Sequence, residues 1–261
     1  MKKSATKKQP ESIKPGTIWQ LGEHRLAYGD ARNATLVKNL IGKEKISLIC
    51  SDPPYGVAAV ESKRGFRTLT KDKIIRNDHL QSDSEYCAFT REWLEAITPH
   101  LAHHNAAYIF NADKMVWSLR DGMVDAGFKV AQLLVWVKSQ SVIGRLDYAP
   151  QHELILYGWR GTHRFRHSKD KSVLLYPRPS KSKYHPTTKP LPLIRRLILN
   201  STDIGDVVYD GFLGSGTTLL ACEQAKRRCF AIEVDAEYCK TIINRFARLT
   251  GMTAKTIVYG K

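Results

Sequence analysis

The tetrapeptide Asp52-Pro53-Pro54-Tyr55 combines residue types that can hold an aromatic amine. The prolines fix the backbone and remove two donors, which leaves a stiff turn whose carbonyls can accept hydrogen bonds. Asp52 adds a charged acceptor and Tyr55 a flat ring, and an amine on a planar base presents two N–H donors. The tetrapeptide follows the apolar run 46–50, at the position where open α/β sheets bind ligands. We interpret it as a catalytic turn, although Asp-Pro turns also occur as plain strand ends.

A second segment places a glycine-rich turn between an apolar run and a helical pattern. Its sequence is Asp210-Gly211-Phe212-Leu213-Gly214-Ser215-Gly216-Thr217. The glycines allow the backbone to approach a ligand closely. Glu233 ends the next apolar run, about 20 residues further on, where a carboxylate can bind ribose hydroxyls. The pattern predicts a nucleotide-type cofactor and does not by itself exclude a nicotinamide or flavin nucleotide.

Short apolar runs alternate with helical patterns along the chain. Seven runs are typical of strands buried on both faces of a sheet, and they cover 25–28, 46–50, 106–110, 132–137, 154–157, 207–209 and 229–232. Apolar residues recur at helical spacing over 85–101, 114–126, 191–199, 217–225 and 236–249. This alternation predicts an α/β fold with a doubly wound, mostly parallel seven-stranded sheet.

The chain is strongly basic, with 41 Lys and Arg residues against 25 Asp and Glu and a net charge of +16. Because phosphate neutralisation releases counterions, such a surplus favours a polyanionic partner, although basic enzymes without one exist. No apolar run approaches the length of a membrane span, and the first residues lack the apolar stretch of a secretory signal. The five cysteines show no CxxC spacing. We therefore expect a cytoplasmic protein with no membrane association and no metal site.

Taken together, these motifs resemble the DNA amino-methyltransferases in the β-arrangement, where the catalytic motif precedes the cofactor motif. Asp52 to Tyr55 matches the DPPY motif of that family, and 210–216 is similar to its F-x-G-x-G loop, with Leu213 where many members have Gly. Two shorter segments also resemble family motifs, namely His185-Pro186-Thr187-Thr188-Lys189-Pro190 and Gly29-Asp30-Ala31. The resemblance covers the chain from Pro15 to Thr250. It implies a Rossmann-like methyltransferase fold that binds S-adenosylmethionine.

The resemblance also implies a role for each matching residue. Asp52 and the Pro53 carbonyl accept hydrogen bonds from the target amino group, and Tyr55 stacks on the flipped base. Asp30 contacts the adenine of the cofactor or, alternatively, caps the helix that follows it. The full set of cofactor-binding residues implied is Asp30, Ala31, Asp52, Thr187, Lys189, Asp210, Gly211, Phe212, Gly214, Ser215, Gly216, Thr217, Glu233 and Val234.

One methyltransferase domain is expected over 16–261, after a disordered basic tail over 1–15. The basic, polar segment 61–78 is expected to be a mobile loop that closes over DNA. The segment 160–184 is basic, interleaved with aromatic residues and rich in proline, so we expect an inserted target-recognition segment there. Residues expected to contact double-stranded DNA are Lys63, Arg64, Arg67, Arg164, Arg166, Lys169, Lys181 and Lys183.

These features predict a site-specific DNA methyltransferase that acts on N6 of adenine in a flipped-out base. Within the resemblance, Asp rather than Ser before the two prolines favours adenine, and N4 of cytosine or an RNA base are the alternatives. Protein-glutamine methyltransferases resemble Asn-Pro-Pro-Tyr instead, and the chain has no Pro-Cys dipeptide for ring-carbon methylation. A catalytically inactive DNA-binding protein is the alternative from another class. The resemblance leaves a homodimer and a partner restriction nuclease open.

Overall fold

The structure, a computed structural model, describes residues 13–56, 81–141, 147–167, 169–177 and 189–258. The strands within these ranges form one ten-stranded sheet. In chain order they are β1 (Ile18–Leu21), β2 (His24–Tyr28), β3 (Ile46–Ser51), β4 (Leu101–Asn111), β5 (Lys129–Val137), β6 (His152–Trp159), β7 (Val173–Leu175), β8 (Val207–Asp210), β9 (Arg228–Glu233) and β10 (Lys255–Val258). The α-helices are α1 (Ala34–Ile41), α2 (Asp83–Ile97), α3 (Val116–Asp125), α4 (Leu191–Ser201), α5 (Thr217–Ala225) and α6 (Ala236–Thr250).

The strand order is β10-β1-β2-β9-β8-β3-β4-β6-β5-β7. Neighbours from β2 through β4 are parallel, whereas β6 lies antiparallel between β4 and β5. β1 is antiparallel to both β2 and β10, and β7 is parallel to β5. All strands except β1 and β6 therefore point in one direction. We call the end of the sheet where their carboxyl ends meet the carboxyl end, and the opposite one the amino end.

The predicted α/β class with a mostly parallel sheet is confirmed, and all seven predicted apolar runs lie in strands. The sheet exceeds the predicted strand count because β1, β7 and β10 extend its two sides. These strands are only three or four residues long. In β7 and β10 the more exposed residues alternate with more buried ones, so their sequences lack the continuous apolar runs of the central strands.

Helices cover both faces of the sheet, as a doubly wound fold requires. Helices α1, α2 and α3 pack on one face, and α4, α5 and α6 pack on the other. Successive residues of a strand serve the two layers, because Val208 and Tyr209 of β8 belong to opposite cores. Burial on both faces explains the near-continuous apolar sequences of the central strands.

Local signals set the ends of the second helix, where the structure differs from the periodicity. Ser82 and Glu85 form a reciprocal capping box, so α2 begins ahead of the predicted range 85–101. The helix ends at Ile97, because a 3₁₀ turn follows and Leu101 already pairs in β4. Apolar spacing continues through this junction, which is why the periodicity did not show the boundary.

The described residues of the segment 160–177 pack on β5 and β6, beside α4. The Phe165 ring lies 6.1 Å from the ring of Tyr157, between centroids. The Trp136 indole N–H donates to the Tyr176 carbonyl at 2.9 Å. Much of this basic segment therefore contributes to the cover of the sheet, where the sequence predicted an inserted recognition element.

Two of the predicted segments lie wholly or largely outside the described residues. They are the loop 61–78 and the tail 1–15, of which only the last three residues are described. Ile13, within the described part, packs against the core. None of the helices in the described ranges combines the length and the apolar character that crossing a bilayer requires.

Candidate active site

At the carboxyl end of the sheet, four neighbouring strands lead into acidic side chains. β3 leads directly into Asp52, β8 ends at Asp210, β9 ends at Glu233, and Asp30 follows β2 closely. Because these strands lie in the order β2-β9-β8-β3, the four carboxylates line one stretch of the sheet. The two sequence motifs, far apart in the chain, are therefore adjacent in space, where open α/β sheets bind ligands.

Hydrogen bonds from both neighbouring strands hold the glycine-rich turn. The Gly211 N–H donates to Ser51 Oγ at 3.1 Å, and the Leu213 N–H donates to the Ile232 carbonyl at 3.0 Å. Leu213, where the family resemblance expects Gly, is buried in the core. Gly216 has a φ of 88°, in the left-handed region that favours glycine, immediately before α5. The turn is thus fixed in place, and its two large side chains, Phe212 and Leu213, pack against the two cores.

Glu233 is a buried carboxylate directly beside this turn. It accepts hydrogen bonds from the Gly214 N–H at 2.7 Å and from the Asp235 N–H at 2.9 Å, one on each oxygen. Burial raises the pKa of Glu233 to about 7, against the opposing effect of the two N–H donors. Because each oxygen has a second lone pair, the carboxylate can still accept hydrogen bonds from a ligand.

Asp30 lies at the carboxyl end beside the strand of Glu233 and pairs with Arg32 at 2.7 Å. Burial acts to raise the pKa of Asp30, but the hydrogen bonds and charge of Arg32 outweigh it and the pKa is lowered. Asn33 caps α1, since its side chain accepts from the Leu36 N–H at 3.1 Å. The alternative interpretation of Asp30 as the helix cap is therefore wrong.

Asp52 and Tyr55 meet a buried ammonium at the end of β3. The Tyr55 hydroxyl lies 2.7 Å from Asp52 Oδ1. Lys189 Nζ lies 2.5 Å from Asp52 Oδ2 and 3.2 Å from the Tyr55 hydroxyl oxygen. The resemblance assigns Lys189 to the cofactor, and the structure puts its ammonium against Asp52 and Tyr55.

Two residues that the sequence interpretation did not single out complete this group. Glu153 Oε2 lies 3.1 Å from Lys189 Nζ and 3.0 Å from the Tyr55 hydroxyl, and Glu153 Oε1 lies 2.8 Å from Lys138 Nζ. Both lysines are 7% exposed. We call Asp52, Tyr55, Lys138, Glu153 and Lys189 the charged corner. The sequence feature that could have pointed to these two residues is a charged residue next to an apolar strand. Lys138 follows β5, and Glu153 stands near the start of β6.

Comparison with known proteins identifies the family of this chain. The family of N6 and N4 methyltransferases, described as DNA methylase, matches the chain over residues 46–245. The chain belongs to the DNA methylase family. The matched range contains the catalytic turn, the charged corner and the glycine-rich turn of this DNA methylase.

Individual relatives resemble the DNA methylase over most of its length. Type II methyltransferase M.HpaI of Haemophilus parainfluenzae is 29% identical over 241 residues, which is 83% of this chain and 72% of that protein. The M1.HpyAVI–SAM complex has a TM-score of 0.61 at 24% identity and covers 84% of this chain and 98% of its own. The PvuII cytosine-N4-specific DNA methyltransferase has a TM-score of 0.70 at 17% identity, and the match covers 90% of this chain and 89% of that one. The two solved structures share the fold.

The two carboxylates of the charged corner have pKa values shifted in opposite directions, because burial dominates at Asp52 and neighbouring positive charge dominates at Glu153. Burial raises the pKa of Asp52, the charge of Glu153 adds to this, and the single ammonium of Lys189 offsets only part. Glu153 is also buried, but Lys189 and Lys138 together outweigh burial and hold its pKa at about 2. The DNA methylase therefore keeps Glu153 ionised over the physiological range, while Asp52 is the more easily protonated carboxylate.

Other residues that the resemblance assigns to the cofactor lie on the same loops of the DNA methylase. Ala31 follows β2, Val234 follows β9, Ser215 lies in the glycine-rich turn and Thr217 begins α5. Phe212, in the same turn, packs edge-on against Trp93 of α2 with centroids 5.4 Å apart. The carboxyl end thus collects every cofactor residue predicted within the described ranges, and Thr187 lies outside those ranges.

Three of the eight predicted DNA-contacting residues of the DNA methylase lie within the described ranges, and two of these three stand at the amino end of the sheet. Because β6 runs antiparallel, the chain that follows it at 160–167 lies at the amino end. Arg164 and Arg166 there both approach Asp203, which lies 3.9 Å from Arg164. The structure does not bring these two arginines to the catalytic turn. The sequence assigned both to DNA binding, and their place at the amino end instead predicts a small contribution to DNA affinity.

The chain then returns towards the carboxyl end of the sheet, because β7 is parallel to β5. Lys169 stands just before this strand, in a left-handed conformation with a φ of 69°. Five further residues that the sequence assigns to DNA binding lie outside the described residues, namely Lys63, Arg64, Arg67, Lys181 and Lys183.

Proposed function

We propose that this DNA methylase transfers a methyl group from S-adenosylmethionine to the exocyclic N6 of adenine in double-stranded DNA. The observation that carries the proposal is the position of Asp52 and Tyr55 at the end of β3, beside the glycine-rich turn that follows β8. An acceptor and a ring for an aromatic amine thus adjoin a turn suited to a nucleotide-type cofactor.

The ends of β2, β8 and β9 fit S-adenosylmethionine. Glu233 offers a buried carboxylate to the ribose hydroxyls, and Asp30 offers a second carboxylate for the adenine amine. A Cβ added at Gly211 would stand 3.2 Å from Ala31 Cβ, a tight contact, so the glycine lets the turn after β8 lie close to the loop after β2. When bound, S-adenosylmethionine supplies a methyl group on a cationic sulfur. The M1.HpyAVI structure, solved as a SAM complex, supports this cofactor.

Asp52 and Pro53 would hold the target amine. The amino nitrogen is a weak nucleophile because its lone pair is delocalised into the base. If the amine donates one hydrogen bond to the Asp52 carboxylate and one to the Pro53 carbonyl, these bonds would favour a pyramidal nitrogen with a localised lone pair. As positive charge grows on that nitrogen, the Asp52 carboxylate would stabilise the charge. The same carboxylate would accept the proton that the methylated nitrogen loses.

Tyr55 would supply the surface for the extruded base. Flipping the base out of the duplex costs a few kcal/mol, part of which stacking on an aromatic ring can offset. The Tyr55 hydroxyl is held by Asp52 and Glu153, at 2.7 and 3.0 Å, so the orientation of its ring is fixed in advance.

Adenine is favoured over cytosine by the residue type at position 52. Both bases carry an NH₂ group that an Asp-Pro-Pro turn can bind, so the chemistry of the turn alone accepts either. Asp52, where Ser would suggest cytosine, supports adenine through the family resemblance. N4 of cytosine is the second candidate, because the PvuII enzyme of the same fold is cytosine-N4-specific.

An incubation of the purified protein with methyl-labelled S-adenosylmethionine and duplex DNA of mixed sequence tests the proposal. After digestion, label in N6-methyladenine is the expected result. Label in N4-methylcytosine would keep the chemistry and overturn the choice of base. Absence of label in DNA, with cofactor binding measured on the same sample, would overturn the proposed function.

A further inference from the structure

We propose that Glu153 is a positioning residue that draws the Lys189 ammonium away from Asp52, and so frees the Asp52 carboxylate for the target amine. This inference rests on the proposed function, because it concerns the same amine and the same carboxylate. It adds a second carboxylate to the site and gives the two buried lysines a task.

Both oxygens of Asp52 are engaged in the structure. Oδ1 lies 2.7 Å from the Tyr55 hydroxyl, and Oδ2 lies 2.5 Å from Lys189 Nζ. Each oxygen keeps a second lone pair, but an ammonium on Oδ2 neutralises the Asp52 carboxylate and opposes the positive charge that develops on the amine. For the amine to take its place, Lys189 needs another acceptor nearby.

Glu153 is that acceptor. Its Oε2 already lies 3.1 Å from Lys189 Nζ, so a small movement transfers the ammonium fully to Glu153. Lys138 holds the other oxygen at 2.8 Å, and the Lys138 N–H donates to the Gln151 carbonyl at 2.8 Å, which ties the end of β5 to the start of β6. The acceptor for Lys189 is thus anchored on the sheet.

Charge balance also favours this exchange. Two carboxylates and two ammonium groups share the charged corner, all of them largely removed from solvent. When Lys189 moves to Glu153, only Asp52 loses its charged partner. The Asp52 carboxylate then binds the target amine, on which positive charge develops during the transfer. A buried charge without a partner is strongly destabilising, so an exchange between two prepared acceptors is the less costly path.

The variant Glu153→Gln tests the idea through two readouts. It keeps the shape and an acceptor for Tyr55 but removes the charge that competes for Lys189. The ammonium should then stay on Asp52, and kcat should fall about tenfold or more at the pH optimum. The surface variant Glu95→Gln on α2, which removes the same charge from a 58% exposed side chain, is the matched control.

The pH profile separates positioning from a general loss of structure. The charged and titratable groups that act on Asp52 are Lys189, Glu153, Tyr55, Asp210 and Cys50. Removing the negative charge of Glu153 lowers the pKa of Asp52, so the acid limb of kcat should move to lower pH. Glu153→Asp, which keeps the charge, should leave that limb near its wild-type position.

A double variant tests whether Glu153 acts through Lys189. In a Lys189→Met background, the ammonium that competes for Asp52 is gone, so adding Glu153→Gln should change kcat far less than it does in the wild type. Melting curves and cofactor titration check that each variant is folded. Equal effects of Glu153→Gln in both backgrounds, or an unmoved acid limb, would overturn the inference. A wild-type protein that labels no DNA would instead be a failure of the proposed function.

Discussion

The two ends of the sheet hold their charges in different ways. At the carboxyl end, Lys138 and Lys189 are 7% exposed and form ion pairs within the site, and Glu233, 6% exposed, accepts hydrogen bonds from two backbone N–H groups. At the amino end, Arg164 and its partner Asp203 are 61% and 57% exposed. Taking an ion out of water costs several kcal/mol even after relaxation, whereas an exposed pair contributes about 0–1 kcal/mol either way.

This contrast shows where the molecule has charges that folding alone does not explain. Apolar residues of similar size at the carboxyl end would pack at least as well as buried ion pairs. The charges there are consistent with a chemical task, and those of Arg164 and Asp203 at the amino end with solvation and weak pairing. Four variants test whether the two ends differ in this way.

Asp52→Asn should have the largest effect. The amide keeps the shape of the side chain but loses the charge that stabilises the developing cation, so kcat should fall by roughly 10²–10³-fold. Single-turnover transfer of labelled methyl to DNA measures this. Asp121→Asn on α3, at a 60% exposed side chain, is the matched control and should keep the wild-type rate. A kcat for Asp52→Asn close to that of the control would remove Asp52 from the chemistry.

Glu233→Gln should weaken cofactor binding by about tenfold or more, because a carboxylate that accepts from hydroxyl groups becomes an amide with a single acceptor oxygen. The rate at saturating cofactor should change much less, since Glu233 is assigned to binding and not to transfer. Calorimetric titration with S-adenosylmethionine measures the affinity. An unchanged affinity would place the ribose elsewhere.

The same variant carries a pH signature without any cofactor. The pKa of Glu233 rises from the ordinary 4.5 to about 7 in the folded protein, so the folded state binds the proton more tightly than the unfolded state does. Its contribution to stability is therefore present below about 4.5 and is lost as the pH rises to about 7. Melting temperature against pH should show this decline in the wild type and a flatter curve in Glu233→Gln. Melting-temperature curves that run parallel in the wild type and in Glu233→Gln would contradict the raised pKa of Glu233.

Asp170→Asn should reduce stability and leave the chemistry alone. Asp170 fastens residues 160–177 to α4, because it accepts hydrogen bonds from Arg196 and, at 2.7 Å, from Asn200. Arg196 holds the pKa of Asp170 well below its usual range, so this stabilisation is present at neutral pH and lost on acidification. Loss of the charge should cost about 1–3 kcal/mol of unfolding free energy, measured by urea titration. A large fall in kcat with stability intact would instead link this segment to catalysis.

The sequence predicted what is local and missed what depends on strand direction. The runs at 46–50 and 207–209, and the motifs after them, were identified because each is a short pattern with its own chemistry. Glu153 and Lys138 were missed because each is a single charge beside an ordinary strand. Their meeting with Lys189 depends on β5 and β6 lying next to each other, which no short pattern encodes.

The predicted recognition segment 160–184 shows the same limit. Its charge and aromatic content were visible, but its path was not, because the apolar run 154–157 carries no signal of strand direction. An antiparallel β6 delivers 160–167 to the amino end. Composition alone could not distinguish a basic segment beside the catalytic turn from one whose first residues, 160–167, lie at the opposite end.

The double variant Arg164→Ala/Arg166→Ala should have the smallest effect of the four. These arginines lie at the amino end and approach Asp203, so DNA affinity should change by less than about threefold, with little change in the salt dependence of binding. Lys181→Ala/Lys183→Ala removes the same net charge from the part of the chain that leads to Lys189 and is the matched comparison. If those lysines bind phosphates, the salt slope should fall by about 1 for each lysine replaced. Equal reductions of DNA affinity in the two double variants would mean that DNA also reaches the amino end, and the contrast between the two ends would then describe burial alone and not function.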